Sequence, residues 1–223
     1  MKGVIFTLKR RSVKRGFPAL KAPDLTVLKQ FIRRRGSLVF FIASMTAGLI
    51  VGSASVNSFD KKTLYALDFL FTTNLPEKLK GGFAGAFFAG FSSDFLFFIA
   101  AVFCSLSLFG GVLLPAIAFF KGFGIGVSAA YLISNYAFKG ALFYILIILP
   151  GVFVFGMILV YELSEGLSVY KKLFLNIVRG SAYPAKGALA AFFRKSVKLS
   201  ALTLAVSAGD AALWFLFSGM FKF

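Results

Sequence analysis

Asp94 opens the stretch DFLFFIAAVFCSLSLFGGVLLPAIAFFKGFGIGVSAAYLISNY, which runs to Tyr136 and carries one further charge, Lys121, in its 43 residues. A helix of roughly 20 apolar residues crosses the hydrocarbon layer, about 30 Å thick, at about 1.5 Å per residue. The stretch is long enough for two crossings, joined tightly near Gly110-Gly111 and Pro115. It therefore predicts spans at 94–113 and 116–136. The fold class implied is all-α, a polytopic integral membrane protein of about five transmembrane helices.

Working outward, Lys139-Gly140 introduces a fourth span over 140–161, with Pro150-Gly151 in its middle. A proline there predicts a kink, and the glycine beside it lets a neighbouring helix approach closely. Over 162–198, Leu163, Leu167, Tyr170, Phe174 and Ile177 recur at helical spacing while Lys171, Lys172 and Arg179 face elsewhere. That is the pattern of a cytoplasmic amphipathic segment lying in the interface. A last span is expected over 199–221, entered through Arg194, Lys195 and Lys198.

In the other direction, residues 57–93 carry four Lys against Asp60, Asp68 and Glu77, with many aromatic side chains, and read as an external loop. The first span is expected over 37–56. Ser53-Ala54-Ser55 loosely resembles a signal-peptide cleavage site, but the charged leader before the span is 36 residues, too long for one. Residues 1–36 form a basic arm in which Pro23-Asp24 precedes a short helix with Leu25, Leu28 and Ile32 on one face. The single membrane domain then covers 37–221.

Charge orients these spans. Of 25 Lys and Arg, eleven lie before Gly36 and seven between Lys171 and Lys198. Positive charge flanking spans stays in the cytoplasm, so the amino terminus is expected inside and, after five spans, the carboxy terminus outside. The net charge of +17 is thus accounted for as a topology signal, with membrane lipids as partners and no nucleic acid expected, although such an arm also suits RNA or anionic lipid.

Histidine is absent, which removes HExxH zinc proteases, His-dependent triads, Ser/His intramembrane proteases and haem ligation by His. Cys104 is the single cysteine, so no intramolecular disulfide or Cys-rich metal site forms. The glycines of Gly122-Phe-Gly-Ile-Gly126 follow no strand and lack the Gly-Lys-Ser/Thr ending of a phosphate loop. No catalytic residue, cofactor or metal is expected, and the chain is read as a non-enzyme.

The candidate functional residues are polar or small groups inside spans. Asp210 sits near the centre of the last span, about 16 Å from either end, too deep for a short carboxylate to reach water along the helix. Either it locks packing as a neutral, hydrogen-bonded group or it handles a proton or ion. As the spans are drawn, no second acidic residue joins it. Lys121 is its expected partner, unless its stem snorkels to the cytoplasmic surface. Ser44, Gly48 and Gly52, and again Gly122 and Gly126, place small residues at four-residue spacing, for packing within the chain or in a dimer.

Three stretches resemble the stage II sporulation protein M family of small polytopic membrane proteins. Arg33-Arg34-Arg35 leads through Gly48 and Gly52 to Val56-Asn57-Ser58; Pro115 is followed by Phe119-Phe120-Lys121-Gly122-Phe123, Gly126 and then Leu149-Pro150; and Ser207-Ala208-Gly209-Asp210 sets an acid in a small-residue-rich last span. Relatives tend to carry Glu at that acid and polar His/Gln and Glu after the Leu-Pro, where this chain has Gly151 and apolar residues. The resemblance implies a scaffold of the bacterial cell membrane that recruits peptidoglycan-degrading partners, the stage II sporulation proteins D and P, during forespore engulfment. A small transporter or channel component using Asp210 and Lys121 is the alternative.

Overall fold

The computed structural model describes residues 25–58, 82–179 and 185–217, with side chains left out at 25–34, 57, 178–179 and 185–186. Among the described residues the chain is helical apart from the turn at 107–109, and no strand is present. Met1–Arg34 and Arg35–Phe223 form separate compact units, and the helical packing described below belongs to the second. The basic arm at 1–24 and most of the expected loop, 59–81, lie outside the described residues, as do 180–184 and 218–223.

Five α-helices carry the fold among the described residues. α1 spans Leu25–Ser55, its helical angles breaking at Arg35 (φ −129°, ψ 32°), and is followed by a 3₁₀ turn at Val56–Ser58. α2 is Gly82–Leu106, α3 is Gly110–Phe143, α4 is Leu149–Arg179 and α5 is Ala185–Phe217. A π-helical turn at Tyr144–Ile148 joins α3 to α4. It comes just before Leu149-Pro150, where a proline without an N–H leaves a carbonyl one turn earlier without its donor, and a widened turn absorbs that mismatch.

Among the described residues, four segments are long and apolar enough to cross a membrane: Arg35–Ser55, Gly82–Leu106, Gly110–Ile177 and Gly187–Phe217. The third folds back on itself. Ala137 takes φ 46°, ψ −126°, and Gly140 packs against the Leu132 carbonyl. Further from the turn, methyl groups at Gly110 and Gly166 would meet Tyr170 and Leu114, the pairing of an antiparallel helical hairpin.

Burial is inverted relative to a water-soluble fold. Phe138 and Val112 are 79% and 76% exposed, whereas Lys121, Glu162, Ser105 and Thr203 are 0% exposed. Apolar side chains on the outside and polar ones between helices are what a hydrocarbon solvent selects. Two apolar clusters fill the interior. One joins Ile125, Leu132, Phe143, Ile147 and Trp214; the other joins Phe41, Leu114, Ala118, Phe155, Leu159 and Leu163.

Three expected boundaries are corrected. α2 begins at Gly82 rather than at 94, so 82–93 belong to a helix and not to the external loop. Its buried residues Ala86, Ala89, Gly90 and Ser93 recur at helical spacing and let neighbours come close. Within the expected amphipathic segment 162–198, α4 runs to Arg179 and α5 begins at Ala185, and Leu163 is fully buried in the second cluster. The helix that holds most of the span expected over 140–161 therefore runs on to Arg179, and the span expected over 199–221 starts inside a helix that begins at Ala185.

Candidate charged site between the helices

The small residues on α1 and α3 meet each other. A methyl group at Gly48 would collide with the Phe119 carbonyl, one at Gly52 with the Phe123 carbonyl, one at Gly122 with the Met45 carbonyl and one at Gly126 with the Leu49 carbonyl. Residue pairs 45 with 122 and 49 with 126 keep a constant offset, so the two helices run parallel at backbone contact. Ser44 Oγ donates to the Pro115 carbonyl at 2.9 Å and closes the same seam. Only residues without a side chain permit this approach, which gathers many dispersion contacts over a small area.

Beside this seam stands Lys121, wholly buried. Its Nζ donates to Asp94 Oδ1 at 2.7 Å and lies 5.1 Å from the Phe97 ring centre and 4.9 Å from that of Phe155. Two aromatic faces and one carboxylate replace the water that an ammonium would otherwise require. The stem of Lys121 thus ends inside the bundle rather than at its surface, with Asp94 as a carboxylate partner at 2.7 Å.

Asp94 is the residue that sequence reasoning missed. The sequence places it at the mouth of a span, yet it lies in the middle of α2, so a second acid does sit among the apolar helices. The signal that points to it is the run of small residues upstream, Ala86, Ala89, Gly90 and Ser93, continuing the helical face through the supposed loop.

Asp210, on α5, lines the same narrow cavity as Asp94, together with Gly90, Ile148, Gly151, Val152 and Val206. Gly151 makes that possible: a methyl group there would stand 2.7 Å from Asp210 Oδ1. The glycine following Pro150 thus creates room for a carboxylate from the neighbouring helix. The cavity's volume, about 10 Å³, corresponds to one water-sized position.

A second polar layer lies toward the Arg35 end of the bundle. Glu162, 0% exposed, accepts from Ser196 Oγ at 2.6 Å through Oε1. Ser37 and Ser164 share a hydrogen bond of 2.6 Å between α1 and α4, and Lys195 donates to Glu165 at 2.7 Å in a more exposed pair. Among the described residues, two buried side-chain oxygens have no hydrogen-bond partner, Glu162 Oε2 and Ser207 Oγ.

Comparison with protein-family models, with curated proteins and with solved structures finds no match to this chain.

Proposed function

We propose that the chain is a five-crossing protein of the bacterial cell membrane, amino terminus inside and carboxy terminus outside, that acts as a non-catalytic scaffold recruiting peptidoglycan-degrading partners. The hairpin at Ala137 supports five crossings, because it divides the longest apolar segment into two antiparallel arms. The Ser37–Ser164 and Lys195–Glu165 contacts support the orientation, since they gather Arg35, Arg194 and Lys195 at one end of the bundle.

The observation that carries the scaffold reading is the α1–α3 seam. The glycines that bear the resemblance to the stage II sporulation protein M family, Gly48, Gly52, Gly122 and Gly126, are the ones locked backbone to backbone. They hold a fixed body that presents its connecting segments to partners, as the resemblance implies for the stage II sporulation proteins D and P. The test is a membrane pull-down of the tagged chain beside a variant with 59–81 replaced by a neutral linker, a replacement that leaves α2 intact. Cell-wall hydrolases captured by the wild type and lost from the variant support the scaffold; equal capture, or none by either, counts against it.

A second reading, a small transporter or channel component, is favoured by one observation: Asp94 and Asp210 face a common cavity beside Lys121. It predicts that Asp210→Asn abolishes ion flux in proteoliposomes, whereas the scaffold reading predicts no flux in the wild type.

A further inference from the structure

We propose that Glu162 is the binding site of one proton, held between α4 and α5 and linked through the Ser196 hydroxyl to the Phe192 carbonyl. The inference concerns the contact between these two helices and does not rest on the scaffold reading.

It starts from an oxygen that nothing satisfies. Glu162 is 0% exposed, and its Oε2 has no hydrogen-bond partner. Buried carboxylates are ordinarily met by a cation or by several donors, and one left bare on one side is costly. A water at Oε2 would bring a donor and leave the charge in place. A proton removes the charge.

No cation is spare to do the same. Lys195, the residue before Ser196, donates to Glu165 Oε2 at 2.7 Å, and among the described residues Glu162 has no ion pair. On the facing stretches, α4 adds Tyr161 and Glu165, and α5 adds Arg194, Lys195 and Lys198. Beyond Ser37, α1 carries Arg35; α2 over 97–106 carries Cys104, and α3 over 110–120 carries nothing that titrates. Arg35, Arg194 and Lys198 are exposed. Nor is a metal set assembled, since the described residues hold no group of three acidic or thiol side chains.

Counting hydrogens leads to the same place independently. Ser196 Oγ lies 2.6 Å from Glu162 Oε1 and 3.1 Å from the Phe192 carbonyl, with one hydrogen to serve both. With Glu162 ionised, that hydrogen goes to Oε1 and the link to Phe192 lapses. With Glu162 protonated, the acid O–H donates to Ser196 Oγ across the same 2.6 Å, and Ser196 donates onward to Phe192. Each link then has its own hydrogen, and Oε2 is a neutral carbonyl oxygen, far cheaper to bury than a carboxylate's.

The test uses the full chain in lipid nanodiscs, labelled with glutamate carrying carbon-13 at the side-chain carboxyl, and infrared spectra in neutral buffer. The label separates the three glutamates, Glu77, Glu162 and Glu165, from every aspartate. An isotope-shifted carboxylic-acid C=O band is expected, and it should be lost in Glu162→Gln, whose neutral amide keeps the shape and can still donate to Ser196. Ser196→Ala keeps the acid and removes its partner, so the same band should remain and move to higher frequency; it decides the matter if Glu162→Gln does not fold. A spectrum with no labelled acid band in neutral buffer, a band that survives Glu162→Gln, or one that Ser196→Ala leaves unmoved overturns the proposal. Hydrolase capture is a separate readout, so failure here leaves the scaffold test standing.

Discussion

The seam between α1 and α3 and the cavity between α2, α4 and α5 solve one problem in opposite ways. At the first, glycines bring two backbones together with no charged group between them. At the second, the bare backbone of Gly151 makes room for a carboxylate, and Asp94, Lys121 and Asp210 come together among the helices. Without a hydrophobic force between helices in lipid, dispersion at close contact and polar bonding in dry surroundings are the two remaining sources of association. The first kind tolerates no added volume, and the second tolerates no unbalanced charge.

The largest effect separating them is expected at Lys121. Lys121→Met removes the ammonium that pairs with the Asp94 carboxylate and should cost about 3 to 5 kcal/mol in equilibrium unfolding in detergent micelles. Adding Asp94→Asn should recover much of that loss, and a double-mutant cycle without coupling would break the comparison. At the glycine seam, Gly122→Ala forces a methyl group into the Met45 carbonyl and should cost about 1 to 3 kcal/mol. No second substitution of charge should rescue it.

The sequence displays the first region more openly than the second. Glycines at four-residue spacing are visible on α1 and α3 separately, and it takes only their meeting to explain them. The charged site is half legible: Lys121 and Asp210 stand out in apolar runs, but Asp94 follows a stretch whose glycines and serines look like a loop in water and pack as a helix face in the bundle. Glu162 is hidden for the related reason that basic residues downstream give its segment an interfacial look, while tertiary contact with Ser196 buries it. Local composition reports solvent preference; it does not report which neighbour supplies the bond.

Smaller effects sharpen the contrast. Ser196→Ala removes the donor to a fully buried carboxylate and should cost about 1 to 2 kcal/mol, measured by the same unfolding assay. Ala137→Gly should stabilise by about 1 kcal/mol, since φ 46° with ψ −126° suits glycine at the hairpin turn. Lys195→Ala should change stability by less than about 1 kcal/mol, because its pair with Glu165 is partly exposed and side-chain ordering offsets most of the attraction.

The scaffold reading requires that the bundle work as a fixed body, and one cross-link tests that directly. Ser37 and Ser164 Oγ atoms lie 2.6 Å apart on α1 and α4, close enough for cysteines at both positions to form a disulfide once Cys104 is changed to serine. Hydrolase capture by Ser37→Cys/Ser164→Cys/Cys104→Ser membranes should be the same oxidised and reduced; capture lost on oxidation and restored by reductant would contradict the account.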